Sequence, residues 1–197
     1  MSVKTQLGIR PEHINDAAKI FSIAFQRKFD KLFGKPEEMS NIFRKCFNPK
    51  CAITAVSASN ELMGVAGFHF NNNTLFEIQK GPFIEQFGCI KGYLKYGLLK
   101  ALYSRKPIEN HQLLMDGIAV SEKFRSLGIG KKLFAHLEHY SRENGMRSIM
   151  LDVIDENPKA KKLYESIGFV PVKHELLPRF IGNLIQVSGF STMVKRI

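Results

Sequence analysis

A glycine-containing loop with basic residues lies between an apolar segment and an amphipathic one. Glycines at a strand-to-helix junction allow the backbone to approach a ligand closely. Amides at the start of a helix carry partial positive charge and bind phosphate groups. The pattern therefore indicates either a pyrophosphate site or a turn that merely begins a helix. Its residues run in the order Arg125-Ser126-Leu127-Gly128-Ile129-Gly130-Lys131.

The spacing excludes two familiar phosphate-binding loops. The P-loop pattern G-x-x-x-x-G-K-[ST] is absent from the sequence. A dinucleotide fingerprint needs a third glycine after Gly128 and Gly130 and lies in an early strand–helix unit, and neither condition holds. The loop is thus not a standard nucleotide-triphosphate or dinucleotide site.

A second segment, 157–169, combines helix-end signals with one aromatic residue that could serve a site. Asn157 suits an N-cap before Pro158. Gly168 suits the residue after the helix. Tyr164 lies on the apolar face, so it is either a core residue or a functional one.

The elements that position these segments follow from hydrophobic periodicity. Residues Lys4 to Arg10 predict a strand, and helices are expected from Pro11 and from Pro36. The remaining strands are expected at Cys51–Ser57, Glu61–Phe70, Gln112–Val120, Arg147–Val153, Phe169–His174 and Leu184–Val194. The remaining helices are expected within Phe83–Tyr103, in one piece or two after a break at Gly81-Pro82, and at Gly128–Glu143 and Pro158–Ile167. This order predicts a single α/β domain over 1–197, with a mixed sheet and helices on both faces.

Composition limits the class of protein. The chain has 197 residues and a formal net charge of +11, which fits a solvated basic surface, attraction of an anionic ligand, or nucleic-acid binding. The basic residues are spread along the chain and no recognition motif occurs, so we do not expect nucleic acid as a partner. The three cysteines form no C-x-x-C pair and no metal-ligand spacing appears, so no metal is expected.

No segment has the roughly 20 uninterrupted apolar residues of a membrane span. The N-terminal residues lack a secretory signal, and the odd number of cysteines suits free thiols. We therefore expect a cytoplasmic location.

The two segments together resemble the GNAT superfamily of N-acetyltransferases. Arg125-x-x-Gly128-x-Gly130 is similar to the family's pyrophosphate loop, and Asn157-x-x-Ala160-x-x-Leu163-Tyr164-x-x-x-Gly168-Phe169 to its second cofactor motif. The resemblance covers Leu113 to Phe169 closely and extends loosely to the N-terminal elements and to Gly64-Val65-Ala66-Gly67-Phe68. It implies a mostly antiparallel sheet whose central strands splay apart, and acetyl-CoA as the acyl donor.

The resemblance also implies roles for individual residues. The backbone of Ile118, Ala119 and Val120 would hold the pantetheine arm, and a main-chain amide near Val120 would face the thioester oxygen. The amides from Arg125 to Lys131 would hold the pyrophosphate. Asn157 and Ala160 would contact the coenzyme. Tyr164 would lie near the sulfur and act as a general acid for the leaving thiolate.

An amine acceptor must lose a proton, because an alkyl amine with a pKa of about 10.4 is protonated at neutral pH. Asp116 is an ionisable residue in an apolar strand, and the period of two predicts that it shares a face with Ile118 and Val120. It is the first candidate for catalysis or substrate contact, and a hydrogen bond to a neighbouring loop or to the insert is the structural alternative. His111 and then Glu85 are weaker candidates. Direct attack needs no covalent intermediate.

A helical insert at about 74–110, before the fourth main strand, departs from the compact family plan. Its apolar and basic residues fit a wall of the substrate pocket, a homodimer contact or a membrane-touching surface. A small-molecule amine is the favoured acceptor. A protein or peptide acceptor and a non-catalytic acetyl-CoA-sensing module stay open as alternatives.

Overall fold

The computed structural model describes residues 2–26, 33–71, 73–103, 107 and 109–197. Part of the predicted insert, including Arg105 and Lys106, lies outside these residues. Among the described residues, no helix combines the length and the apolar character that crossing a bilayer requires.

One sheet contains the strands of the described chain. Its path runs β1-β2-β3-β5-β6-β8-β7, and β4 pairs with the end of β3. The pairings are antiparallel except that of β5 with β6, which is parallel. The strands are β1 (Val3–Leu7), β2 (Ala52–Ser57), β3 (Leu62–Phe70), β4 (Asn73–Thr74), β5 (Gln112–Val120), β6 (Ser148–Ile154), β7 (Val170–Leu176) and β8 (Gly189–Arg196).

Helices cover both faces of this sheet, as the sequence predicted. On one face, here the α1 face, lie the helices before β5 and the short helix before β8. On the other, the α5 face, lie the two helices that follow β5 and β6. The helices are α1 (Ile14–Ala24), α2 (Pro36–Cys46), α3 (Lys80–Phe87), α4 (Cys89–Tyr103), α5 (Ile129–Glu143), α6 (Pro158–Ser166) and α7 (Arg179–Ile185).

Each face has its own apolar core. On the α1 face, Phe21, Phe43 and Phe76 form a set of ring contacts with centroid distances of 4.8–5.7 Å. On the α5 face, Phe134 packs edge-on against Phe169 at 5.2 Å. Burial of a large apolar side chain contributes about 1.5–3 kcal/mol, so these rings hold the helices on the sheet.

The predicted helical insert is part of the α1-face core. Phe83 and Leu99 are buried there, and the Phe83 ring lies 6.1 Å from those of Phe33 and Tyr96. The predicted break at Gly81-Pro82 is wrong, because both residues lie in the first turn of α3. The chain breaks instead at Gly88, whose φ of 76° suits glycine.

The last predicted strand is also partly wrong. Leu184 and Ile185 belong to α7, and β8 begins only at Gly189. The run Leu184-Ile185-Gln186-Val187 is typical of a strand, but Ile185 and Val187 pack into the α1-face core from a short helix that ends at Gln186. The two-residue strand β4 was not predicted, because the sequence Asn71-Asn72-Asn73 is typical of a turn.

Candidate active site

The central strands β5 and β6 separate toward their carboxyl ends. Their pairing ends at Leu114 and Met150. Beyond this point β5 stays paired with β3 as far as Val120, and β6 with β8 as far as Ile154. The inner edges of 115–120 and 151–154 therefore face a gap, and their polar backbone groups need another partner. The splay that the resemblance implied is confirmed.

The loop after β5 lies at the open end of this gap. Ser126 has a φ of 64° and Gly128 a φ of 73°, so two left-handed residues shape the turn before α5. Gly128 is the N-cap of α5, and no side chain of the described chain caps that helix. The first amides of α5 are therefore available to a ligand. A side chain at Gly128 would meet no heavy atom within 4 Å, so space lies open there.

Basic side chains accompany these amides. Arg125, Lys131 and Lys132 are exposed. Arg125 also forms an ion pair of 3.1 Å with Glu122. The end of β5 leads into the loop, with Ile118 and Val120 packed toward the α5-face core and Ala119 buried on the α1 face. The first amides of α5, the basic side chains and the open end of the gap thus lie close together.

The second motif begins at the same end of the gap, after β6. Asn157 Oδ1 accepts a hydrogen bond of 3.1 Å from the Ala160 amide, so its side chain caps α6. This capping role was the structural alternative for Asn157. Ala160 is half-buried against the α5-face core. Because β5 and β6 are parallel, the starts of α5 and α6 lie at one edge of the sheet.

Tyr164 lies on the α5 face and exposes only 8% of its surface. Its ring packs edge-on against Phe169, with 5.8 Å between centroids. Burial raises the pKa of the Tyr164 phenol to about 12. The phenol therefore keeps its proton at neutral pH and can only donate to an anion beside it.

A β-bulge interrupts the pairing of β5 with β3. Gly67 pairs with Gly117 and Phe68 pairs with Met115, so Asp116 is the extra residue. Such a residue shifts the alternation of side chains along the strand. The Asp116 side chain lies on the α1 face, where it contacts His69, whereas Ile118 and Val120 pack toward the α5 face. The prediction that Asp116 shares their face is wrong, because the bulge changes the period of two.

Asp116 is bonded to a residue that sequence reasoning missed. His69 Nε2 lies 2.6 Å from Asp116 Oδ1 and 2.9 Å from Thr74 Oγ1. The Asp116 side chain is 0% exposed, and that of His69 is 17% exposed. Burial, followed by the negative charges of Asp116 and Glu77, raises the pKa of Cys51 to about 11. The bulge thus holds a buried carboxylate against a partly exposed imidazole.

Asp152 on β6 provides a second carboxylate, on the other side of the gap from Asp116. Asp152 alternates with Leu151 and Val153, which pack on the α5 face, so Asp152 faces the α1 side of β6. Its Oδ1 accepts a hydrogen bond of 2.7 Å from Thr192 Oγ1 on β8. Both separated strands therefore carry an aspartate on the α1 face, and Tyr164 lies on the opposite face.

The two weaker candidate bases lie elsewhere. His111 precedes β5 at the closed end, where its carbonyl accepts from the Arg147 amide. The paired residues of β5 and β6 separate it from the gap. Glu85 is 69% exposed and forms an ion pair of 2.5 Å with Lys45, which joins α3 to α2.

Aromatic and apolar side chains border the gap on the α1 face. A side chain at Gly117 would meet the Phe25 ring at 2.7 Å, so that ring lies directly over the bulge. Ile154 at the end of β6 packs in the core that also contains Ile185 and Val187. The α1-face helices therefore form a wall beside the two aspartates.

The sequence pattern of the acetyltransferase (GNAT) family matches residues 18–169. The chain belongs to the GNAT family. A GCN5-related N-acetyltransferase from Kribbella flavida has the same fold, with a TM-score of 0.63 at 15% identity over 99% of this chain and 98% of that one. The GNAT fold expected from the sequence is confirmed.

Two GNAT relatives carry descriptions of activity. A thialysine N-epsilon-acetyltransferase from Sus scrofa is 30% identical over 116 residues, covering 57% of this chain and 65% of the relative. A probable N-acetyltransferase camello from Xenopus tropicalis is 25% identical over 124 residues, covering 62% and 56% respectively. The match thus spans less than two thirds of the length of these relatives.

Proposed function

We propose that this GNAT protein transfers the acetyl group of acetyl-CoA directly to an amine of a small molecule. The observation that carries the proposal is the gap between β5 and β6, which begins after Leu114 and Met150. The two motif segments lie together at its open end. A long, thin ligand with a phosphate group at one end fits such a gap.

The described residues offer suitable partners for the pyrophosphate and for the pantetheine arm of the coenzyme. The amides at the start of α5, with Arg125 and Lys131, would hold the pyrophosphate. The unpaired inner edge of β5 at Ile118, Ala119 and Val120 would hydrogen-bond the pantetheine arm. The loop residues Ser126, Leu127, Gly128, Ile129 and Gly130 would shape this cradle, with Asn157 and Ala160 beside it.

The coenzyme supplies a thioester, and the chain supplies the groups around it. A main-chain amide on the free edge of β5 would stabilise the oxyanion that forms when the amine attacks. Tyr164 would donate a hydrogen bond to the leaving thiolate. A thiol has a pKa of about 8.5, whereas that of Tyr164 is about 12. Tyr164 therefore acts as a donor that keeps its proton.

Two observations support a small cationic acceptor. Asp116 and Asp152 place two carboxylates on the α1 face, on either side of the gap, although the chain as a whole has a net charge of +11. One relative is described as acting on thialysine, which carries an alkyl amine. A protonated amine would be attracted toward this face by the charge of the two carboxylates before it loses its proton.

A panel of acceptors tests the proposal. Release of CoA thiol is followed with thialysine, spermidine, n-butylamine, and two peptides, one with a free N-terminus and one with an internal lysine. We expect turnover with the small cationic amines. Turnover with the peptides alone would favour a protein acetyltransferase. Acetyl-CoA binding without turnover of any acceptor would favour a sensing module.

A further inference from the structure

We propose that His69 accepts the proton of the acceptor amine and that Asp116 is a positioning residue acting through it. This inference rests on the proposed function and names a residue for its proton-transfer step. The observation behind it is the contact of 2.6 Å between His69 Nε2 and Asp116 Oδ1 at the β5 bulge.

The hydrogen bonds fix which ring nitrogen can act. A carboxylate is only an acceptor, so His69 Nε2 must carry the hydrogen that lies between it and Asp116. The Thr74 hydroxyl, 2.9 Å from the same nitrogen, also holds the ring. The lone pair is therefore on Nδ1, which forms no hydrogen bond with any residue of the described chain. Nδ1 is free to accept a proton directly or through one water.

Exposure favours the imidazole over the carboxylate as the group that meets substrate. The Asp116 side chain has no solvent-accessible surface, whereas His69 exposes 17% of its side chain. An amine that approaches the α1 face can therefore reach His69 and not Asp116. Asp116 instead orients the ring and stabilises the imidazolium that forms, as an aspartate does when it supports a histidine base.

The position of His69 along the sheet fits this role. His69 is paired with Leu114, the last residue at which β5 is joined to β6. The pyrophosphate site lies at the open end, so the reactive end of an extended coenzyme points toward the closed end. His69 therefore lies where the gap closes, on the face that carries Asp116 and Asp152.

Acetyl transfer to the amine makes one bond and breaks one bond. The amine nitrogen forms a bond to the acetyl carbon, and the carbon–sulfur bond breaks with its electron pair on sulfur. The alkylammonium loses two protons on the way to the neutral amide: one passes to His69 Nδ1 and frees the amine lone pair for attack, and the other leaves the nitrogen to solvent after the new bond forms. The thiolate accepts a hydrogen bond from Tyr164 and is released as CoA after it takes up one proton from solvent, so one proton is released per turnover. No oxidant, reductant or metal is needed.

The test compares five variants with the wild type: His69→Gln, His69→Asn, Asp116→Asn, the double variant of His69→Gln with Asp116→Asn, and His139→Gln. The last is a matched control, because His139 also contacts a carboxylate, Glu143 at 3.3 Å, but lies exposed on α5. For each variant, kcat and KM are measured with the fastest acceptor of the panel. Calorimetry gives the Kd for acetyl-CoA, and thermal unfolding checks the fold.

We expect His69→Gln to lower kcat by about 100-fold, with the Kd for acetyl-CoA unchanged. Asp116→Asn alone should lower kcat by about 10-fold, because the imidazolium loses its hydrogen bond to a negatively charged partner. It should add nothing in the His69→Gln background, because Asp116 acts through His69. His139→Gln should match the wild type. Two substitutions of His69 are made so that the test still holds if one of the two proteins does not fold.

Three results would overturn the inference: a folded His69 variant with wild-type kcat, an Asp116→Asn effect that persists in the His69→Gln background, or equal loss in the His139→Gln control. A wild type that transfers acetyl to no amine would instead refute the proposed function. The two failures are therefore distinguishable.

Discussion

Leu114 and Met150 are the last residues paired across β5 and β6, and the parallel strands separate from that point. The residues assigned to the site lie around the gap that this separation opens. The start of α5, which no side chain among the described residues caps, and the start of α6 lie at the open end. The bulged Asp116 and its partner His69 lie near the closed end, on the α1 face.

Gly128→Ala is expected to weaken acetyl-CoA binding by about 10-fold, or about 1.4 kcal/mol. The added Cβ would project into the open space beside the first amides of α5. Gly145→Ala is a matched control, because Gly145 has a φ of 72°, against 73° for Gly128, and a side chain there also meets nothing within 4 Å. Calorimetry measures binding and thermal unfolding measures stability.

Both alanine variants should lose a similar stability of about 1–2 kcal/mol, since both place a Cβ on a left-handed residue. Only Gly128→Ala should change the Kd. Equal Kd values for the two variants would show that the loop does not hold the coenzyme.

Sequence periodicity and local helix-end signals were sufficient to predict most of the strands and helices around the site. Gln112–Val120 was predicted with the bounds that β5 has, because a long apolar run is delimited by polar residues at both ends. The start of α6 was predicted at Pro158, where Asn157 does cap the helix. Such local signals depend only on neighbouring residues.

The dyad of Asp116 and His69 could not be predicted in the same way. It depends on the register between β3 and β5, in which Gly67 faces Gly117 and Phe68 faces Met115. A period of two assumes a regular strand, so it placed Asp116 on the wrong face. An ionisable residue next to Gly117, whose φ is 152°, was the available signal for an irregular strand.

Tyr164→Phe is expected to lower kcat by about 100-fold, because the thiolate loses its hydrogen-bond donor. The Kd for acetyl-CoA should change little, since the ring and its contact with Phe169 are retained. Tyr140→Phe is the control, because Tyr140 packs on the same face against Phe68 and Phe70. A Tyr164→Phe variant with wild-type kcat would contradict the assigned role.

The pKa of Tyr164 also predicts how stability depends on pH. Its folded value of about 12 lies above the ordinary value of 10.0. The folded state therefore favours the neutral phenol, and this contribution is complete below pH 10 and declines as the pH rises toward 12. Urea unfolding of wild type and Tyr164→Phe between pH 8 and 11 checks it. The stability of the phenylalanine variant should fall less above pH 10.

Asp152→Asn is expected to raise the KM for a cationic acceptor by about fivefold, since a charge pair near a surface contributes about 1 kcal/mol. The asparagine oxygen can still accept from Thr192, so the fold should be kept. Steady-state kinetics with spermidine and with n-butylamine measure the effect. A KM that is unchanged for spermidine would remove Asp152 from the acceptor site.

The cysteines should differ sharply in reactivity toward iodoacetamide. Cys89 is exposed, whereas Cys46 and Cys51 are buried. Burial raises the pKa of Cys46, and the pKa of Cys51 is raised to about 11. At pH 8 we expect alkylation at Cys89 alone, seen by mass spectrometry, and no labelling of a Cys89→Ser variant. Rapid labelling of Cys51 in the folded protein would contradict its burial in the α1-face core.

The most direct test of the account is calorimetric titration of the folded protein with acetyl-CoA. The gap between β5 and β6 predicts one site per chain, competition by CoA, and weaker binding at higher salt because the pyrophosphate meets cations. A folded wild-type protein that gives no heat with either acetyl-CoA or CoA would contradict the central claim.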